Sequence, residues 1–289
     1  MKILKNLILI VFVCLISSSA ACAIKVGLYT HYHDEIAVGV SKGGVIENVK
    51  TGTYILVLSQ MKPYKLKKYG DYIQIKIKDK RYRIKADEIR IKTTQSNGLV
   101  FTKRRWYKGS LLVINDKKGL TVVNEIDMEN YIKGVVPAEM PTSWNIEAHK
   151  AQAIAARSYA IANMGKRLEY GFDLYDTPQD QNYIGVSAET VQTNKAVEFT
   201  HGQVLVYNGV VIPAYYHASA GGSTLSARRV WGNDVPYLRP VRSFDDNVPR
   251  NGHRVGMSQN GAQILANKGY SAYQILGYFY NNVMLRKLY

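Results

Sequence analysis

Polar and apolar residues alternate through Tyr72-Ile73-Gln74-Ile75-Lys76-Ile77-Lys78, the period of a strand with one buried face and one face carrying lysine. Similar short runs occupy Lys25 to Tyr29, Glu35 to Val40, Tyr54 to Leu58 and Arg81 to Lys85, with Asp79-Lys80 expected as the turn of a hairpin. Strands are also predicted over Ser110 to Asn115 and Gly119 to Val123. Beyond these the period lengthens. Asp127 is a predicted N-cap for a short helix through Lys133, with Gly134 as its C′ residue. From Asn145, the residues Ile146, Ala151, Ile154, Ala155, Tyr159 and Ile161 recur at helical spacing, and Glu147 suits the dipole of the first turn. Ala151, Ala153, Ala155, Ala156 and Ala160 leave little bulk, so another element can approach this helix closely. Gln259 to Lys268 predicts a helix stopped by Gly269, and Ser271 with Gln274 forms a capping box for a last helix to about Tyr280. Strands and helices fall in separate runs, which predicts an α+β fold. The expected organisation is a leader over 1–23, a β-rich region over 24–102 and a mixed α+β catalytic domain over 103–289.

The first residues read as an export signal. Lys2 and Lys5 precede an apolar run from Leu7 to Ile16, and Ala21-Cys22-Ala23 fits a cleavage site. The run is short against the about 20 residues of a membrane span, so cleavage is expected, although an uncleaved segment would tie the chain to a membrane. Both cysteines, Cys14 and Cys22, lie in this stretch, so the mature chain would use no disulfide, thiol nucleophile or cysteine metal site. The net charge is +16, two units lower once Lys2 and Lys5 leave with the signal. Such a chain seeks polyanions. An exported protein meets wall polymers, peptidoglycan carboxylates and anionic lipid, so nucleic acid is not an expected partner.

Glu139 is the leading candidate for chemistry. It lies between Pro137 and Pro141, immediately before the alanine-rich helix, and the two prolines predict a stiff non-helical loop around it. A carboxylate held by packed neighbours suits acid–base work. The spacing alone fits a surface glutamate before a helix better.

Three blocks carry a resemblance. The first is Gly119 to Tyr159, through Tyr131-Ile132-Lys133-Gly134-Val135-Val136-Pro137-Ala138-Glu139-Met140-Pro141. The second is Ser219-Ala220-Gly221-Gly222-Ser223-Thr224. The third runs from Gly252-His253 through Val255-Gly256-Met257-Ser258-Gln259 to Gly261-Ala262. In this order they resemble the stage II sporulation protein D (SpoIID/LytB) family over most of residues 105 to 283. The resemblance implies a peptidoglycan lytic transglycosylase whose catalytic acid and base is Glu139, acting on glycan strands between N-acetylmuramic acid and N-acetylglucosamine. It also implies a rival reading, since some members are described as non-enzymatic wall-binding enhancers of a cell-wall amidase. One well-placed carboxylate suffices for the enzyme, because the sugar's own C6 hydroxyl replaces an activated water.

Gln181, Tyr183, His253, Ser258 and Gln259 are the expected substrate-positioning residues. Many relatives carry Cys or His where this chain has Tyr175 and Asp180. That pair makes a poor zinc site, so neither a metal nor a cofactor is expected. Asp176 is a candidate second carboxylate for true hydrolysis. Gly221-Gly222 would allow close backbone approach to a ligand or simply form a tight turn. Arg254, where relatives usually have Gly, could pair with a substrate carboxylate, whereas His149 and His217 read as structural. The chain has 22 tyrosines, of which Tyr159, Tyr183, Tyr215 and Tyr216 lie in or near the matching blocks.

Overall fold

The computed structural model describes residues 23–28 and 32–289. Of the expected export signal over 1–23 only Ala23 is among the described residues; Lys2, Lys5 and both cysteines lie outside them, as does Tyr29. Among the described residues the fold is α+β with a β-rich amino-terminal part, and no helix is long and apolar enough to cross a membrane.

Two sheets dominate. The larger runs, edge to edge, Leu174–Tyr175, Ala23–Gly27, Gly119–Asp127, Ser110–Asp116, Glu88–Thr93, Gly44–Asn48 and Tyr54–Leu58. It mixes strands from both sides of residue 102, since Ser110–Asp116 pairs with Glu88–Thr93 on one side and Gly119–Asp127 on the other. The second sheet runs Arg105–Tyr107, Val100–Thr102, Glu35–Val40, Tyr64–Tyr69, Tyr72–Ile77 and Lys80–Lys85. Its hairpin turns one residue earlier than expected, at Lys78-Asp79. Lys78 takes φ +53°, and Lys80 already pairs with Ile77. Alternate residues Ile36, Val38, Leu66, Ile73, Ile75 and Ile84 meet Ile24, Val26, Ile89, Ile91, Leu111, Val113, Leu120 and Val122 in one shared core.

Helices α1 (Met128–Glu139) and α2 (Ile146–Ala162) follow. The caps are as the sequence predicts: Asp127 accepts from Asn130 N–H and Asn145 accepts from Glu147 N–H. The end of α1 is not. It continues past Lys133 to Glu139, with Pro137 inside its last turn, so Glu139 is helical and not part of an extended loop. Proline there forfeits a single late hydrogen bond, and the buried Val135 and Val136 hold the turn in place. Gly134 serves packing, not capping: a Cβ at that position would come within 2.5 Å of the Tyr183 ring. Pro141 does act as expected, because Met140 before it is extended (φ −128°, ψ 144°) and ends the helix.

Helix α2 is buried on nearly every side, which explains its alanines. Ala153, Ala156, Tyr159 and Ala160 join the sheet core, whereas Ala148, Ala151, Ile154 and Ala155 join a second core. That second core comprises Leu205, Ile212, Met257 and side chains of three later helices: α4 (Ala227–Trp231), α5 (Gln259–Asn267) and α6 (Ala272–Phe279). Between α2 and these lies α3 (Val191–Phe199), capped by Thr190 and unforeseen in the sequence. The fully buried Arg157 on α2 is neutralised by Glu129 on α1 through two bonds, 2.8 Å to Oε1 and 2.7 Å to Oε2.

Candidate active site

The junction of α1 and α2 is fixed first. His149 bonds to the Pro141 carbonyl at 3.0 Å, and Asn145 N–H donates to Gln263 Oε1 on α5 at 2.9 Å. The last turn of α1 therefore stays rigid against α5. Glu139 projects from that turn into a cavity of about 640 Å³. Tyr159, Tyr215, Tyr216, His217, Trp231 and His253 form its aromatic wall, and Lys166, Gln179, Asp180, Asn182 and Gln259 supply most of its polar lining.

Two groups hold the Glu139 carboxylate. Asn182 N–H donates to Oε1 at 2.7 Å, and Gln259 Nε2 donates to Oε2 at 3.1 Å. Burial raises its pKa above the usual 4.5, and the bonds from Asn182 and Gln259 only partly offset that. A carboxyl that keeps its proton more readily than usual, yet is oriented as an anion by two donors, can give a proton and take one back.

Asp180 ties the polar loop together. Asp180 Oδ1 receives Lys166 Nζ at 2.6 Å, and its Oδ2 receives Arg167 Nε at 3.2 Å and Tyr175 N–H at 2.9 Å. Among the described residues no group of His, Cys, Asp and Glu could hold a metal ion. This clamp sets the run Gln181-Asn182-Tyr183, in which Gln181 and Tyr183 are buried and Asn182 borders the cavity. Asn182, which sequence reasoning passed over, meets Glu139. Gln181 is fully buried, accepting from Tyr131 Oη at 3.1 Å and donating to Tyr216 Oη at 2.8 Å. Tyr183 is buried too, bonding to Asn124 at 2.7 Å. Neither borders the cavity, so the expectation that they contact sugar directly is corrected: they support its wall.

The carboxyl-terminal motifs meet on Asp245, which no motif had flagged. Its carboxylate accepts from Ala220 N–H at 2.7 Å, Gly222 N–H at 2.8 Å, Ser258 Oγ at 2.7 Å and the Ser243 hydroxyl. Burial pushes its pKa up, but these donors together bring it down to about 2. Gly221-Gly222 is thus a tight turn around a carboxylate. Ser258 is buried and also caps α5 through Gly261 N–H at 3.1 Å, so it positions its neighbour Gln259 and does not reach the cavity. The short parallel pairing of Tyr216-His217 with Met257-Ser258 draws the aromatic wall beside Gln259.

Both His253 and His217 border the cavity. His253 Nδ1 accepts from Val255 N–H at 3.0 Å and the ring also bonds to the Tyr216 backbone. His217, read as structural, places Nδ1 at 3.2 Å from the Val255 carbonyl and leaves Nε2 without a partner among the described residues. Burial, with His253 beside it, lowers the pKa of His217 to about 4, so the ring is neutral near pH 7. Asp176 is paired with Lys103 at 2.7 Å and lies outside the cavity lining, and Arg254 donates to the Ser223 carbonyl at 2.9 Å. Trp231 at the end of α4 was also missed. It is 40% exposed, with its ring centroid 4.6 Å from that of Tyr215.

A family model described as "Stage II sporulation protein" matches residues 116–207, which include Glu139, Asp180 and Asn182. An uncharacterised protein of Brachyspira hyodysenteriae is 34% identical over 217 residues, covering 70% of this chain and 58% of that protein. The amidase enhancer of Bacillus subtilis is 44% identical over 128 residues, covering 44% of this chain and 17% of the enhancer. Stage II sporulation protein D of the same organism is 34% identical over 144 residues, covering 44% of this chain and 42% of that protein. The chain thus spans less than two thirds of each of these relatives. With the family model on the residues that build the Glu139 side of the cavity, residues 116–207 form a stage II sporulation protein domain.

Proposed function

We propose that this protein is a lytic transglycosylase that cleaves the glycan backbone of peptidoglycan, exported to act on the cell wall. The observation that carries the reading is the state of Glu139: a cavity-lining carboxyl, raised in pKa by burial and bound by neutral donors alone. Asp180, the other carboxylate at the cavity, is engaged by Lys166 and Arg167 and holds the polar loop. A single acid is what the reaction needs. Protonated Glu139 donates to the glycosidic oxygen as the C1–O bond breaks. The resulting carboxylate takes the proton of the C6 hydroxyl, whose oxygen closes on C1 to give a 1,6-anhydro end. No water enters the product, and Glu139 finishes protonated. Asn182 and Gln259 stabilise the carboxylate between the two transfers. Tyr215 and Trp231 offer flat faces for sugar rings. Incubating the chain with peptide-free glycan strands tests the proposal: anhydro-muramyl ends are expected from wild type and not from Glu139→Gln.

A second reading rests on the amidase enhancer of Bacillus subtilis, 44% identical over its matched segment. Under it the chain would bind the wall and stimulate a cell-wall amidase without cutting glycan. Stimulation of a purified N-acetylmuramoyl-L-alanine amidase by wild type and Glu139→Gln alike, with no anhydro products, supports that reading.

A further inference from the structure

The hairpin region from Lys62 to Lys85 holds ten lysines and arginines against two aspartates. Register puts most of this charge on one face. With Leu66, Ile73, Ile75 and Ile84 turned into the core, Lys65, Lys67, Lys76, Arg81, Arg83 and Lys85 point outward and are exposed. Lys76 lies directly opposite Arg81, and the pairing of Leu66 with Ile75 puts Lys65 opposite Lys76 on the other side. Three cations therefore stand in one cross-strand row, an arrangement that costs stability. The one ion pair on this face among the described residues joins Lys65 to Glu35 at 2.9 Å, and Arg83 lies over the Tyr69 ring at 4.1 Å.

Protection of a sheet edge would account for charge on Lys80–Lys85, the outermost strand. It does not account for Lys65, Lys67 and Lys76, which sit on the two strands inside it. Solubility needs no row of mutually repelling cations either. The arrangement suits an anionic chain lying on the sheet. Neighbouring strands offer cations about 5 Å apart, and alternate residues along a strand offer them about 7 Å apart. A flexible polymer with one negative charge per repeat can meet both spacings.

We propose that the outer face of strands Tyr64–Tyr69, Tyr72–Ile77 and Lys80–Lys85 is a docking surface for a linear phosphodiester polymer. Lys67, Lys76, Arg81, Arg83 and Lys85 are its contacts. The face holds the protein on anionic wall polymer independently of what Glu139 does. Binding is electrostatic and releases counterions, so affinity falls steeply with salt. By the behaviour of single-stranded polyanions, five contacts give a log–log slope of roughly −3 to −4.

The test measures binding of the full chain to soluble poly(glycerol phosphate) at several salt concentrations. Lys67→Glu, Arg81→Glu and Arg83→Glu are expected to weaken binding about tenfold or more in combination. Reversing Lys195, Arg286 and Lys287, exposed cations elsewhere, should change it less than about twofold. The sign of the stability change is the discriminating readout. Arg81→Glu creates an opposite-charge pair with Lys76, so thermal stability should hold or rise while binding falls. Equal losses from both charge sets would overturn the proposal, since net charge alone would then act. Binding to phosphatidylglycerol vesicles but not to the soluble polymer would overturn it too, in favour of a membrane surface.

Discussion

Gln259 donates its side-chain amide to Oε2 of Glu139 at 3.1 Å across 120 residues of sequence. That bond joins the amino-terminal family motif to the carboxyl-terminal one and sets how readily Glu139 holds its proton. In Gln259→Leu a donor that favours the ionised form is lost, so the pKa of Glu139 rises further. The alkaline limb of the pH–rate profile should move to higher pH. Loss of orientation should lower the maximal rate about 10- to 100-fold. Glycan digestion measured across a pH series checks both.

Glu139 should cost the protein stability at neutral pH. Its folded pKa is raised above the ordinary 4.5, so its favourable contribution is complete below that value and is lost as pH rises through the folded pKa. Glu139→Gln removes the titration. The difference in melting temperature, variant minus wild type, should therefore be more positive at pH 7 than at pH 4. Calorimetry at the two pH values decides it.

Asp245 behaves in the opposite sense. Its folded pKa is lowered to about 2 from 3.8, so its stabilisation is present above the ordinary value and is lost as pH falls through about 2. Asp245→Ala strands four donors, with a cost of about 1–3 kcal/mol for each one left unsatisfied, so a loss of at least about 2 kcal/mol is expected at pH 7. The variant should also show a shallower decline in stability between pH 4 and pH 2. Urea denaturation over that range measures it.

Trp231 stands 40% exposed on the aromatic wall. Trp231→Ala removes a sugar-stacking face while leaving the Glu139 contacts intact. It should weaken binding of a peptide-free glycan oligomer to the Glu139→Gln protein about tenfold, with a melting temperature close to that of its parent. Titration calorimetry reads the affinity directly.

Much of the fold was legible because its signals are local. Alternation gave the hairpin at Tyr72, and side-chain caps gave α1, α2 and α6. The end of α1 was misread because Gly134 has the look of a C′ residue and Pro137 biases the residue before it towards extended backbone, whereas the buried Val135 and Val136 decide the matter. At the site, Glu139, Gln259 and His253 were legible from motifs. Asp245 was not: its importance comes from four donors drawn from residues 220, 222, 243 and 258, which only the folded chain brings together. Asn182 was missed for a related reason. In a loop the buried and cavity-facing residues cannot be told apart until a partner is known, so Gln181 and Tyr183 were chosen on either side of the residue that meets Glu139.

Digestion of peptide-free glycan strands in oxygen-18-labelled water, followed by mass spectrometry of the new ends, tests the central claim most directly. Intramolecular attack by the C6 hydroxyl predicts 1,6-anhydro ends free of the label from wild type, and none from Glu139→Gln. Labelled reducing ends would show that water is the nucleophile, and products from the Glu139→Gln protein would show that Glu139 is not the acid.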